Sequence, residues 1–145
     1  MHTGNNLIIK SVCLEHSSLP LLIMGAIDNP SPDKVIAIIK SYNHPDHEML
    51  GAFMGDTLVG ILGICKTSAA VITMRHISVL PEFQRHGVGT LLLNAIMKCH
   101  ERHRIIAETD QESVGFYLKS GFSCNAFEGI YGTLRYTCVF NNLCC

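Results

Sequence analysis

The chain has 145 residues, 48% hydrophobic and 16% charged, which predicts one soluble globular domain spanning residues 1–145. Its formal net charge of −1 leaves no basic excess to neutralise phosphates, so we expect no nucleic-acid partner. No apolar run approaches the roughly 20 residues that cross a bilayer, and we expect no membrane partner. Residues Met1–Asn6 show no basic segment followed by an apolar one, so no signal peptide is predicted.

Seven cysteines are present, an odd number, and none forms a C-x-x-C pair. This pattern predicts reduced thiols in a cytoplasmic protein, most of them buried as small apolar residues. The terminal pair Cys144 and Cys145 is expected to fray. Two histidine pairs, His44 with His47 and His100 with His103, lack a cysteine or carboxylate partner at metal-ligand spacing. We therefore predict surface histidines and no metal site.

The first elements read as one strand and two helices. Leu7–Val12 is an apolar run typical of a strand. Ser17–Pro20 and Ser31–Asp33 each place serine and proline where a helix begins. Asn43–Pro45 ends the second helix.

The middle of the chain reads as a meander of three strands. Glu48–Met54 and Thr57–Lys66 are joined by Gly55–Asp56, a two-residue hairpin signal. Val71–Leu80 is rich in β-branched residues, which favours a further strand.

The last third alternates helices and strands. From Val88 to Cys99, apolar residues recur every three or four positions, which predicts a helix. Ile105–Glu108 is a short strand, and Thr109–Glu112 matches a capping box with Thr109 as the N-cap. Strands are expected at Phe122–Phe127 and Thr133–Phe140. The order β-α-α-β-β-β-α-β-α-β-β predicts an α+β or mixed α/β fold with helices on the faces of a mixed sheet.

Gly87 and Gly89 lie between a predicted strand and a predicted helix. A Walker loop would need a lysine after Gly89, and a dinucleotide fingerprint would need a third glycine at Leu92, so neither fits. Backbone N–H groups at the helix start, where the helix dipole is positive, can hold a phosphate. The spacing alone leaves a phosphate site and a turn without ligand equally open.

Two motifs together resemble the GNAT superfamily of acyl-CoA-dependent N-acyltransferases. Gln84, Gly87 and Gly89 match its pyrophosphate motif Q/R-x-x-G-x-G/A, and Val79–Phe83 looks like the usual entry to it. A second motif, with F-Y-x-x-x-G-F at its end, is matched by Asp110, Ser113, Phe116, Tyr117, Gly121 and Phe122. The resemblance covers roughly the whole chain. It implies a GNAT-like, largely antiparallel mixed sheet of about seven strands, with about four helices, splayed at the central strand.

The resemblance implies acetyl-CoA as the acyl donor, bound in the cleft at the splayed strand. The pantetheine arm would pair with Ile77–Val79, and N–H groups of Arg85–Thr90 would hold the pyrophosphate, with Arg85 or His86 near the phosphates. The residues implied in donor binding are Ile77, Ser78, Val79, Gln84, Arg85, His86, Gly87, Val88, Gly89, Thr90, Asp110, Ser113, Phe116 and Tyr117.

Acyl transfer to an amine requires a neutral amine, a polarised thioester carbonyl and a proton for the leaving thiolate. The resemblance implies Tyr117 as the donor to the thiolate. Some members carry a glutamate on the central strand, where this chain has Thr73. His76, Glu108 or a water relay therefore stay open as the base. In a regular strand two faces are expected, Thr73, Arg75, Ile77 and Val79 on one and Met74, His76 and Ser78 on the other.

We therefore expect an N-acetyltransferase that moves acetyl from acetyl-CoA to a primary amine of a small molecule or peptide, by direct attack in a ternary complex. The rival hypothesis is a catalytically silent acyl-CoA-binding sensor module. Tyr131, Arg135, Tyr136, Tyr42 and Glu48 are the candidates for the acceptor pocket, although packing is the simpler role for each. A homodimer is left open as the assembly.

Overall fold

The computed structural model describes residues 6–142. Predictions for the first five residues, and for Cys144 and Cys145, lie outside them. The strands are β1 (Leu7–Ser11), β2 (His47–Met54), β3 (Thr57–Ser68), β4 (Val71–Val79), β5 (Arg104–Asp110), β6 (Ser123–Glu128) and β7 (Leu134–Asn141). The helices are α1 (Leu19–Gly25), α2 (Pro32–Ser41), α3 (Val88–Cys99) and α4 (Val114–Lys119), with a short 3-10 turn at Pro81–Phe83.

The seven strands form one sheet in the order β1-β2-β3-β4-β5-β7-β6. Every neighbouring pair is antiparallel except β4 and β5, which run parallel. A parallel pair needs a crossover connection, and α3 supplies it. The predicted fold, a largely antiparallel mixed sheet with four helices, is confirmed. Within residues 6–142, no helix is long and apolar enough to span a membrane.

Local sequence signals explain where several elements begin. Gly55 has φ +62° and closes the β2–β3 hairpin, while the Ser31 hydroxyl accepts a hydrogen bond from the Lys34 N–H at 3.2 Å and caps α2. The capping box predicted at Thr109 is wrong, because β5 continues to Asp110. Instead, the Asp110 carboxylate accepts a hydrogen bond from the Ser113 N–H at 2.9 Å.

Two apolar clusters fill the two faces of the sheet. Helices α1 and α2 cover one face, where Leu19, Ile23 and Val35 are buried. Helices α3 and α4 cover the other, where Leu92 and Tyr117 are buried. Because both faces are packed, the sheet is fixed as a layer between the helices.

A β-bulge interrupts β4. Gly63 pairs with His76 and Ile64 pairs with Met74, so Arg75 is an extra residue in the ladder. Such a bulge reverses the alternation of side chains. The regular alternation that the sequence predicts is therefore wrong. Beyond the bulge, Ile77 and Val79 pack toward α3. Arg75 and His76 both contact Tyr42 at the end of α2.

The cysteine prediction is also wrong. Cys124 and Cys138 are direct partners on β6 and β7 and are joined by a disulfide. Cys13 and Cys99 are exposed rather than buried. Cysteine count and spacing do not show which strands pair. The sequence alone therefore could not predict that these two cysteines lie opposite each other.

One histidine of each pair lies close to a carboxylate. His100 is buried, so the predicted surface position is wrong for this residue. His100 Nε2 lies 3.1 Å from Glu48 Oε1, and His44 Nδ1 lies 3.8 Å from Asp46 Oδ2. Over the part of the chain that the structure describes, no three His, Cys, Asp or Glu side chains come close enough to hold a metal ion.

Candidate active site

A cleft opens where β4 and β5 separate. The two strands pair only at Val71–Thr73 with Arg104–Ile106. Beyond these residues β5 pairs with β7, so residues 74–79 face no strand on that side within the described residues. The Val79 carbonyl accepts from the Gln84 side chain, and the other backbone groups on this edge of β4 can pair with an extended ligand, as an added strand would.

The cleft has a volume of about 1220 Å³. Its walls come from α1, β4, the loop after β4, β5 and α4. This volume suits a large ligand together with a second, smaller one.

One end of the cleft is formed by the loop that leads into α3. Arg85 and Gly87 adopt left-handed conformations, with φ +67° and +79°. A left-handed residue followed by a helical one, here Gly87 and Val88, forms an anion-binding concavity of N–H groups. The first helical hydrogen bond of α3 runs from the Leu91 N–H to the Gly87 carbonyl at 3.0 Å. The N–H groups before Leu91 therefore have no acceptor within the helix.

Gly89 keeps this end open, whereas Gly87 is favoured by its left-handed backbone conformation. A Cβ on Gly87 would meet nothing within 4 Å, and one on Gly89 would lie 3.4 Å from a ring carbon of Phe116. Gly89 lines the cleft, so a larger side chain there would project into it. The start of α3 therefore has room for the phosphate-bearing end of an acyl-CoA donor.

Two predicted donor-binding residues brace this end instead of pointing freely into it. The Gln84 side-chain amide donates to the Val79 carbonyl at 3.0 Å, which ties the loop to the end of β4. The Asp110 carboxylate holds the turn before α4 through Ser113. Each contact fixes the local conformation of its own motif.

The structure brings most of the predicted site residues to one cleft. The twelve that line it are His76, Ile77, Ser78, Val79, Gln84, Arg85, Gly89, Glu108, Asp110, Ser113, Phe116 and Tyr117. Four do not line it: His86, Gly87, Val88 and Thr90. The Val88 side chain is 1% exposed in the core, so only its backbone could serve a ligand.

Tyr117 lies on α4 at the wall of the cleft. Phe116 and Phe122 surround its ring, with centroids 5.1 and 5.3 Å away. Its hydroxyl has no hydrogen-bond partner among the described residues. Burial raises the pKa of Tyr117 to about 12, so the hydroxyl stays protonated at neutral pH and can donate a proton or a hydrogen bond.

His76 lines the cleft at the bulge. Its Nδ1 lies 2.6 Å from the Tyr42 hydroxyl. Burial, with the Arg75 guanidinium beside it, lowers the pKa of His76 to about 4. The imidazole is therefore neutral near pH 7 and a weak base.

Glu108 is an exposed carboxylate on β5 that lines the same cleft. It is a proton acceptor open to solvent. Asp28 and Glu112 add carboxylates to the lining of the cleft, and Arg75 and Arg135 add cations. The cleft lining is thus mixed in charge.

Sequence reasoning missed several residues that line the cleft, Arg75 among them. Arg75 lines the cleft at the bulge, and Gly63 makes room for Tyr42. Of the five acceptor-pocket candidates, only Arg135 lines the cleft. Tyr131 is 91% exposed at the tip of the β6–β7 hairpin. A long-range contact such as Tyr42 with His76 leaves no local signal in a single sequence.

The family model described as an acetyltransferase (GNAT) domain matches residues 45–124. The chain belongs to the GNAT acetyltransferase family. The matched segment contains both motifs and the splayed strands, so the family and the enzyme class predicted from the motifs are confirmed. A comparison with curated proteins finds no match.

Solved structures of GNAT acetyltransferases share the fold at low identity. An aminoglycoside 6'-N-acetyltransferase complexed with coenzyme A superposes with a TM-score of 0.84 at 14% identity, covering 95% of this chain and 98% of that one. A GNAT family acetyltransferase from Elizabethkingia anophelis with acetyl-CoA bound gives 0.75 at 18%, covering 94% and 99%. The ribosomal-protein-S18-alanine N-acetyltransferase from Escherichia coli gives 0.70 at 18%, covering 92% and 91%.

Proposed function

We propose that this GNAT chain is an N-acetyltransferase that moves acetyl from acetyl-CoA to a primary amine of a small molecule or peptide, by direct attack in a ternary complex. The observation that carries the proposal is the position of the unpaired Tyr117 hydroxyl. It lies on the wall of the same cleft that holds the open helix start of α3 and the unpaired edge of β4.

The donor would lie along β4. The edge of Ile77–Val79 would pair with the amides of the pantetheine arm, and the N–H groups that open α3 would hold the pyrophosphate. Arg85 lines this end and would add a cation near the phosphates. Two neighbours in fold, one with coenzyme A and one with acetyl-CoA, support this choice of donor.

The acceptor amine must lose a proton before it attacks. An alkyl ammonium has a pKa near ~10.4, so fewer than about one molecule in a thousand is neutral at pH 7. We assign Glu108 as the first proton acceptor, because its carboxylate lies on the cleft wall and is exposed to solvent, which can carry the proton away. His76 is the weaker candidate, since its pKa is lowered to about 4.

When bound, acetyl-CoA supplies the acetyl thioester and a thiolate leaving group. The Tyr117 O–H would donate to that sulfur as the C–S bond breaks, while the amine nitrogen forms the new C–N bond and its proton leaves by Glu108. Unpaired N–H groups on the edge of β4 would stabilise negative charge developing on the carbonyl oxygen.

Release of the free CoA thiol from acetyl-CoA, measured across a panel of primary amines, tests the proposal. We expect thiol release that depends on the amine, with the acetylated amine detected by mass spectrometry. Tight CoA binding without turnover on any amine would favour the acyl-CoA sensor instead. A melting temperature that rises with ATP and not with CoA would contradict both the acetyltransferase and the sensor hypotheses. The cytoplasmic location of the protein and its assembly as a homodimer remain predictions from the sequence.

A further inference from the structure

A group of side chains supports the wall of the cleft from behind, at the β4 bulge. Tyr42, at the end of α2, places its hydroxyl 2.6 Å from His76 Nδ1. The Arg75 guanidinium lies 4.8 Å from the centre of the Tyr42 ring and donates to Ser41 Oγ at 2.8 Å. The end of α2 therefore holds both bulge residues, and both line the cleft.

Gly63 allows Tyr42 to reach the strand. Gly63 is the partner of His76 on β3, and a Cβ built on it would collide with the Tyr42 hydroxyl and ring. The contact thus requires a glycine on one strand, a bulge on the next and a tyrosine from the helix above. No other part of the proposed mechanism uses these features.

The contact assigns the proton on the His76 ring. The Tyr42 side chain is buried, and a buried hydroxyl needs an acceptor for its proton. Within the described residues, its one acceptor within hydrogen-bond distance is His76 Nδ1, because Arg75 can only donate. Nδ1 therefore accepts from Tyr42, and the ring proton lies on Nε2.

The charges around the ring favour the neutral form. Arg75 is the adjacent cation on β4, Tyr42 is the facing group from α2, and α1 presents no titratable side chain. Burial and Arg75 lower the pKa of His76. A neutral ring with its proton on Nε2 has no free lone pair to offer a substrate.

We infer that His76 donates a hydrogen bond from Nε2 to an oxygen of the acceptor substrate and is not its base, with Tyr42 as the positioning residue that fixes this tautomer. The inference rests on the proposed function. Ser78, which lies against Gly25 of α1, and Arg75 add further donors to the cleft. Such a wall fits an amine that carries a carbonyl oxygen near its nitrogen.

NMR can test the tautomer of the His76 ring without any measurement of enzyme activity. In a ¹⁵N-histidine-labelled protein at pH 7, the nitrogen shifts of His76 should show a protonated Nε2 and an unprotonated Nδ1, and a Tyr42→Phe variant should shift the Nδ1 signal. Assignment uses the loss of one ring signal set in His76→Gln. A protonated Nδ1 in the wild type would overturn the inference, whatever the enzyme activity.

Kinetics separate a donor from a base. Gln keeps an N–H donor near the Nε2 position and cannot act as a base, whereas Ala removes both functions. With glycinamide as acceptor, His76→Ala should raise KM about tenfold, the effect of one lost hydrogen bond. His76→Gln should restore most of it, with the wild-type pH profile. Equal loss in both variants, with a changed acidic limb of the profile, would show that His76 is the base and overturn the inference.

A matched amine tests where the hydrogen bond goes. Propylamine lacks the carbonyl oxygen of glycinamide, so His76→Ala should change its KM little. Equal effects on both amines would overturn the assignment to a substrate oxygen. Thermal melts of each variant control for folding. Failure of the proposed function itself would appear differently, as no amine-dependent thiol release in the wild type.

Discussion

The two ends of the cleft are built in different ways. The proposed phosphate end would use backbone N–H groups and glycines from one continuous segment, residues 84–90. The proposed acceptor end uses side chains that the fold brings together from β4 and β5, with the Tyr42–His76 contact behind its wall. A site of backbone groups requires a few positions without side chains. A site of side chains requires the whole fold to bring distant residues together.

The largest expected effect is at the phosphate end. Gly89→Leu should weaken acetyl-CoA binding about 100-fold, because its side chain would enter the cleft and cost roughly two charge-assisted hydrogen bonds of about 1.5 kcal/mol each. Leucine is a better helix former than glycine, so α3 should be retained. Isothermal titration with acetyl-CoA measures the loss.

Gly115→Ala is the matched control. Gly115 lies in α4, beside Phe116, and a Cβ there would meet nothing within 4 Å. The alanine should stabilise α4 by up to about 1 kcal/mol and leave acetyl-CoA affinity unchanged. Unchanged affinity in Gly89→Leu would mean that the donor does not use the start of α3.

Tyr117 lies on the wall of the same cleft, and its removal should affect chemistry more than binding. Tyr117→Phe should lower kcat about 100-fold, the contribution typical of a general acid, with acetyl-CoA affinity near the wild-type value. Stopped-flow thiol release and titration separate the two. Tyr131→Phe, at the exposed hairpin tip, is the control and should match the wild type. Full activity in Tyr117→Phe would end the acid assignment while leaving the donor site intact.

The difference between the two ends also explains what a single sequence can show. Gln84, Gly87 and Gly89 are close in the chain, so their spacing is a local signal, and the strands and helices around them follow from periodicity and turn residues. The bulge at Arg75 is not local. It depends on the register between β3 and β4, so alternation in the sequence assigned Arg75 and His76 to opposite faces. The Cys124–Cys138 disulfide escaped prediction for the same reason.

The acceptor end also depends on a glycine, although no motif contains it. Gly63→Ala should destabilise the protein by about 1–3 kcal/mol, the usual effect of overpacking, because the new Cβ meets Tyr42. Urea unfolding measures the change in the free energy of unfolding. A Tyr42→Leu background supplies the control.

With the tyrosine ring gone, the same Gly63→Ala change should cost less, so the double-mutant cycle should show coupling. Additive effects of the two substitutions would mean that Gly63 is needed for another reason than room for Tyr42.

The last expected effect is a pH dependence of stability. The pKa of His76 falls from 6.5 in the unfolded chain to about 4 in the folded protein, through burial and then Arg75. As pH drops from 6.5 toward 4, the unfolded chain takes up a proton that the folded protein does not, so the free energy of unfolding falls. His76→Gln should lose less stability than the wild type between pH 7 and pH 4.5, measured by urea unfolding. If the free energy of unfolding fell equally with pH in the two proteins, the His76 ring would have the same pKa in the folded and unfolded states. Contact with Tyr42 would then leave the imidazole as basic as it is in the unfolded chain.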